Sequence, residues 1–183
     1  MSPARFLLRL PASLHRRLTA RAAAHDLSLN EYCVRRLAGP EPMTIAHPAG
    51  IAVRERAADV AGARLVGIVA HGSWARDELR TASDVDVLVV VETTLALTRD
   101  LYRTWDRAPL KWEGRPVDAH FVHLPDAPER AGGLWCEAAI DGVVLDDVAG
   151  RVERTLRRIR RAIADGRLIR KHAHGQPYWT VAA

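Results

Sequence analysis

Apolar residues recur at two different spacings along the chain, and these spacings predict a series of helices and strands. Apolar positions three or four residues apart indicate helices, whereas short continuous or alternating apolar runs between turn residues indicate strands. The predicted helices cover about 12–25, 29–38, 50–61, 75–81, 95–107 and 148–164. The predicted strands cover 5–10, 64–70, 86–91, 115–124 and 142–146. This order predicts the α+β class.

The pattern divides into two parts. Residues 40–48 contain Pro40, Pro42 and Pro48, which cannot continue a helix, and are predicted to link a segment 1–39 to a domain 49–183. The first segment has one short strand and two helices, which bury too little surface to fold alone. It is therefore expected to dimerise, whereas the domain is predicted to hold a mixed sheet flanked by helices.

Charge is distributed unevenly over these parts. The formal net charge is +5, and residues 1–40 carry +5, residues 41–149 carry −7 and residues 150–183 carry +7. Such blocks favour different partners for each part. The Arg151–Arg161 series is interpreted as a solvated helix face, with a docking surface for RNA or an acidic protein as the alternative.

Composition favours a cytoplasmic protein with a buried core. Apolar residues make up 48% of the chain, and no run approaches the roughly 18–20 apolar residues of a membrane span. The arginines near the start do not fit a secretory signal. Cys33 and Cys136 are far apart and outside any metal-binding spacing, which indicates free thiols in a reducing compartment.

The candidate chemistry lies between residues 72 and 86. Gly72-Ser73 is followed after ten residues by Asp84-Val85-Asp86, which opens the apolar run Val87–Val91. In an extended strand Asp84 and Asp86 would share a face, about 6–7 Å apart at their Cα atoms. Two close carboxylates favour a hard cation such as Mg²⁺, and a glycine lets backbone N–H groups approach a phosphate. The combination suits nucleoside triphosphate chemistry; the alternative is that the aspartates only cap a strand.

This arrangement resembles the nucleotidyltransferases of the polymerase-beta type, and their minimal members above all. The resemblance covers about residues 50–125 and includes the full Gly-Ser-x10-Asp-x-Asp spacing. It implies that Asp84, Asp86 and Asp118 are catalytic and hold two Mg²⁺ ions. It also implies that Gly72, Ser73 and Arg76 bind the nucleotide, with ATP favoured. The glycine usual after Ala-Arg is Asp77 here.

The histidines near these residues are predicted to be mainly structural. His71, at a strand end, is interpreted as structural, although it could touch phosphate. His120 and His123 are three residues apart, so in a strand they lie on opposite faces and are not expected to form a metal site. Asp118, as a single aspartate in a strand, has a surface position as its alternative.

The first 40 residues resemble the ribbon-helix-helix family of DNA-binding proteins. The resembling segments are Arg5–Pro11, Leu14–Leu18 and Leu27–Tyr32. The resemblance implies a homodimer through the N-terminal strand, with a two-stranded ribbon in the major groove of operator DNA. It places Arg5, Leu7 and Arg9 at the bases and Ser28 and Asn30 at the phosphate backbone. The alternative is that Arg5 and Arg9 solvate an edge strand of a dimerising or docking segment.

Together the two resemblances predict an enzyme that is linked to DNA. The main hypothesis is a Mg²⁺-dependent transfer of a nucleoside monophosphate to a hydroxyl of a protein or tRNA, by a toxin–antitoxin component that also binds its operator. A ribonuclease toxin of the HEPN type is the expected partner or acceptor. One alternative is a non-catalytic dimeric repressor or antitoxin whose second domain binds a partner or a nucleotide. The other is an antibiotic nucleotidyltransferase.

Overall fold

The computed structural model describes residues 7, 9–24, 26–38, 48–76, 78, 83–174 and 176–182. The chain forms two compact units, Met1–Pro42 and Met43–Ala183. None of the helices in these described stretches is both long and apolar enough to cross a bilayer. Each unit is described in turn.

The first unit contains a pair of helices, and both were predicted from the sequence. They are α1 (Ala12–Ala24) and α2 (Leu29–Ala38). The start of α2 has the hydrogen bonds of a capping box, because Glu31 N–H donates to Ser28 Oγ at 3.2 Å and Ser28 N–H donates to Glu31 Oε2 at 2.9 Å. Ala22 and Tyr32 are buried within this unit.

The predicted N-terminal strand falls mostly outside the described residues. Of residues 5–10, only Leu7, Arg9 and Leu10 are described, and they are not part of a strand in the single chain. Leu7 is 81% exposed. A strand forms its ladder only with a partner strand, so the ribbon stays a prediction.

The second unit is built from helices around a five-stranded sheet, with a two-stranded hairpin at its end. Its helices are α3 (Pro48–Ala61), α4 (Gly72–Ala75), α5 (Arg99–Trp105), α6 (Gly133–Asp141) and α7 (Arg151–Ala164). Its strands are β1 (Leu65–His71), β2 (Val85–Val91), β3 (Lys111–Trp112), β4 (Arg115–His123), β5 (Val143–Asp147), β6 (Leu168–Ala173) and β7 (Gln176–Val181). The predicted α+β class is confirmed.

The five-stranded sheet has the order β3-β4-β2-β1-β5 and is mixed. β2 and β4 are parallel, whereas the other neighbouring pairs in this sheet are antiparallel. Every residue from Val85 to Val91 pairs with one from Val117 to His123 without a shift. This continuous register fixes which side chains of β2 and β4 lie side by side.

Both faces of the sheet are covered, and the alternation along β2 shows how. Val87, Val89 and Val91 pack into a core that includes residues of α3 and α5. Leu88 and Val90 point the other way, into a core with α6 and α7. Both sets are almost fully buried, which is why β2 reads as a continuous apolar run.

Several elements differ from the sequence prediction. α3 begins at Pro48, which suits the first helical position, rather than near Gly50. The predicted helix 75–81 is replaced by the short α4, which starts at Gly72; part of the predicted range lies outside the described residues. The predicted helix 95–107 shortens to α5. α6, β3 and the β6–β7 hairpin were not predicted.

Candidate active site

Two aspartates lie side by side where β2 and β4 begin. Asp86 of β2 pairs with Asp118 of β4, and on its other side Asp86 pairs with His71, the last residue of β1. Directly paired residues point to the same face, so these three side chains share the face that α6 and α7 cover farther along. The site therefore lies at the edge of this covered face.

Gly72 shapes the turn beside the aspartates. Its φ of +75° is a conformation that residues with a side chain rarely adopt. A Cβ atom at this position would overlap the carboxylate of Asp86, so the backbone can approach Asp86 only because residue 72 is glycine. Ser73 and Trp74 follow in α4, and both are partly exposed.

His120 lies with Asp86 and Asp118 in one group. Its membership was not predicted from the sequence. It lies two residues after Asp118 on the same strand face, and its Nε2 is 3.6 Å from Asp118 Oδ2. One ligand atom each from Asp86, Asp118 and His120 lie within 4.8 Å of one another. The Asp-x-His spacing is the sequence signal for this contact, because residues two apart in a strand share a face.

The geometry of this group fits one divalent cation. Ligand atoms on opposite sides of Mg²⁺ are about 4.2 Å apart, since each metal–oxygen distance is about 2.1 Å. The three ligand atoms lie within 4.8 Å of one another, a limit close to that span. Two carboxylates and an imidazole are a common donor set for divalent ions.

Asp84 lies beside this group and is not part of it. It is exposed and precedes β2, which begins at Val85. Its charge nevertheless acts on the site. Burial raises the pKa of Asp86 above its ordinary value, and the carboxylates of Asp118 and Asp84 raise it further, while His120 and Arg76 oppose the shift. Three negative groups thus converge here.

Arg76 is positioned by acidic side chains. Its Nε donates to Glu78 Oε2 at 2.9 Å, and one of its terminal nitrogens lies 3.9 Å from Asp141 Oδ2. Its charge acts on both Asp86 and His71. Asp77 lies outside the described residues.

His71 is a buried histidine with an unsatisfied ring nitrogen. The residue is 6% exposed, and within the described part of the chain its Nε2 has no hydrogen-bond partner. Burial lowers the pKa of His71 to about 4, and the nearby His120 and Arg76 lower it as well. Its imidazole is therefore neutral at physiological pH.

The residues predicted to bind DNA lie in the first unit, and one of them is outside the residues that the structure describes. Arg5 is not among the described residues. Leu7, Arg9, Ser28 and Asn30 are exposed. Ser28 is engaged with Glu31 in the capping box.

Two family models match the chain, one in each unit. Residues 53–131 match the nucleotidyltransferase domain, and residues 2–37 match the HicB family. The first match spans β1, β2 and β4 and with them the aspartate group. It confirms that the second unit contains a nucleotidyltransferase domain, as the Gly-Ser-x10-Asp-x-Asp motif predicts. No curated protein matches the chain.

Solved structures that resemble the chain include two from toxin-antitoxin systems, both of low similarity. One is described as a toxin-antitoxin with AMP-PNP, with 16% identity, a TM-score of 0.42, and coverage of 65% of this chain and 89% of that one. The other is a mutant of the toxin-antitoxin MntA-HpeT, with 15% identity, a TM-score of 0.41, and coverage of 63% and 87%.

Proposed function

We propose that this chain, whose second unit is a nucleotidyltransferase domain, transfers a nucleoside monophosphate from a nucleoside triphosphate to a hydroxyl group of a protein or a tRNA. The observation that carries the proposal is the pairing of Asp86 with Asp118 directly beside Gly72. It brings the paired carboxylates to a glycine turn that is followed by the partly exposed Ser73. The turn that would bind the phosphates and the carboxylates that would bind the cation thus lie at the same edge of the sheet.

The chain's residues have distinct roles in this proposal. Gly72 and Ser73 bind the β- and γ-phosphates through the backbone N–H groups of the turn and the hydroxyl of Ser73. Arg76 acts as an electrostatic aid, held in place by Glu78 and Asp141. ATP is the favoured nucleotide.

Asp86 and Asp118 would hold a divalent cation, and exposed Asp84 is available to a second one. The proposed ions are Mg²⁺. When bound, such ions neutralise the triphosphate and lower the pKa of the acceptor hydroxyl. The carboxylates also have an electrostatic reason to bind cations, since burial and mutual repulsion raise the pKa of Asp86.

The proposed step is an in-line displacement at the α-phosphorus. The acceptor oxygen forms a bond to this phosphorus, and the bond from the phosphorus to the bridging oxygen of the β-phosphate breaks. The hydroxyl proton passes to the carboxylate of Asp118, which is 58% exposed and therefore open to solvent and to an acceptor. Pyrophosphate leaves with the bonding electron pair.

We further propose that the chain is a toxin–antitoxin component that acts as a homodimer and binds its operator. The support is the composition of the chain, in which a small basic segment matching the HicB family precedes the nucleotidyltransferase domain. Such a segment buries too little surface to be stable alone, and pairing with a second copy would bury more. The expected acceptor or partner is a HEPN-type toxin, with tRNA as the other acceptor.

Incubation with labelled nucleoside triphosphates, Mg²⁺ and host lysate tests the enzymatic proposal. Wild type is expected to label a macromolecule, and Asp84→Ala/Asp86→Ala is expected to lose the labelling. Equal labelling by both proteins would contradict it. Binding to the protein's own promoter without any transfer would favour the non-catalytic repressor instead.

A further inference from the structure

We propose that His120 is a metal ligand of this chain, and that it makes the site select first-row transition ions such as Mn²⁺ over Mg²⁺. The proposal rests on the proposed function, because it concerns the same carboxylates. It goes beyond that function in adding a nitrogen donor to the site and in changing which ion the site prefers.

The first support is the position of His120 in the sheet. Parallel pairing places Asp86 beside Asp118, and the strand period of two residues brings His120 onto the same face. Its Nε2 is 3.6 Å from Asp118 Oδ2, and the three ligand atoms lie within 4.8 Å. An ion that contacts both carboxylates therefore lies within reach of this nitrogen.

The second support is His71, on the other side of Asp86. Its ring centroid is 6.1 Å from that of His120, and its buried Nε2 has no hydrogen-bond partner among the described residues. Buried polar nitrogens are nearly always satisfied by protein or by water. The Nε2 of His71, on the same face as the carboxylates, is thus available to a water that is bound to a cation there.

The chemistry of the donors then determines the preference. Mg²⁺ favours oxygen ligands and keeps its waters, whereas imidazole nitrogen suits transition ions. A set of two carboxylates and one imidazole gains more from Mn²⁺ than from Mg²⁺. His120 is 41% exposed, so the ring can rotate toward an ion without opening the core.

Direct metal binding tests this proposal on the full chain without nucleotide. Calorimetric titration is expected to show Mn²⁺ binding at least about tenfold tighter than Mg²⁺. His120→Asn is expected to weaken Mn²⁺ binding about tenfold or more and to change Mg²⁺ binding less than about threefold. The matched control is His172→Asn, which removes an exposed histidine from β6 and should change neither.

Pulsed electron paramagnetic resonance of bound Mn²⁺ gives a second readout. A nitrogen coupling is expected in wild type, and it is expected to disappear in His120→Asn but to persist in His172→Asn. Absence of the coupling in wild type, or equal loss of Mn²⁺ and Mg²⁺ affinity in His120→Asn, would overturn the proposal. Circular dichroism before each titration verifies that the variants fold, and His120→Ala repeats the test if His120→Asn does not.

The two proposals fail in distinguishable ways. Nitrogen-coupled Mn²⁺ in a chain that transfers no label would leave the ligand role standing and would contradict the transferase. Label transfer with no nitrogen coupling would support the transferase and contradict the ligand role of His120.

Discussion

Gly72 lies directly against the carboxylate of Asp86, and no side chain fits between them. Gly72→Ala is therefore expected to displace Asp86 and to abolish transfer. It should also destabilise the fold by about 1–2 kcal/mol, because φ at residue 72 is +75°. Urea unfolding and label transfer measure the two effects separately.

Gly114 provides the matched control. Its φ is +83°, but a Cβ there would meet nothing within 4 Å. Gly114→Ala should thus cause a similar loss of stability and leave transfer largely intact. If both variants lost transfer equally, the contact between Gly72 and Asp86 would have no special role.

Asp86→Asn is expected to stabilise the metal-free protein while removing its activity. Burial is the largest cause that raises the pKa of Asp86, so ionisation of this group opposes folding. The gain in the free energy of unfolding should be present at neutral pH and vanish as the pH falls below about 3.9, where the carboxyl is protonated in both states.

Urea unfolding in chelator at several pH values measures this gain. Transfer by Asp86→Asn should fall at least about 100-fold, as for loss of one key electrostatic group. A variant less stable than wild type at neutral pH would show that the charged form of Asp86 stabilises the fold, contrary to expectation. Stability and activity trade against each other at such a site.

Asp147 is expected to anchor the start of α7. Its two carboxylate oxygens accept hydrogen bonds from the backbone N–H groups of Val152 at 3.2 Å and Glu153 at 2.9 Å. Asp147→Ala should lower the free energy of unfolding by about 1 kcal/mol. Asp147→Asn, which keeps one acceptor, should lose less, and thermal or urea unfolding decides between these outcomes. Equal stability of all three proteins would rule out the capping role.

The first unit is expected to bind operator DNA through its N-terminal arginines. Affinity for the protein's own promoter should fall steeply with salt, and Arg5→Ala/Arg9→Ala should lower it at least about tenfold. Arg64→Ala/Arg107→Ala removes the same charge from exposed positions of the second unit and serves as the control. Fluorescence anisotropy measures both. Equal losses in the two double variants would contradict a specific role for the N-terminal segment.

The sequence was most informative where a local pattern determines the structure. The capping box of Ser28 and Glu31 and the buried run of β2 depend on neighbours in the chain, and both were predicted. α6 was not predicted, because it is apolar on most of its circumference: Trp135, Cys136, Ala138 and Ala139 are all buried. The spacing of three or four residues between apolar positions, which marks a helix with one buried face, is therefore weak in this segment.

The candidate site was likewise predictable from the sequence only where its residues are close together in the chain. The spacing of Gly72 and Asp86 is local, and it was visible in the sequence. The pairing of Asp86 with Asp118 needs the parallel register of β2 and β4, which no local pattern specifies. Tertiary pairing also makes His71 a neighbour of Asp86. The motif spacing therefore identifies the position of the site, and the strand pairing in the sheet shows which further residues lie beside Asp86.

The measurement that tests the central claim most directly compares two positions of the label in ATP. Wild type, given Mg²⁺, Mn²⁺ and a host lysate, is expected to transfer phosphorus from the α-position to a macromolecule and to release the γ-phosphorus as pyrophosphate. Asp118→Asn should lose this transfer, whereas Asp126→Asn, at an exposed surface ion pair, should keep it. Transfer of the γ-label, or undiminished transfer by Asp118→Asn, would contradict the account.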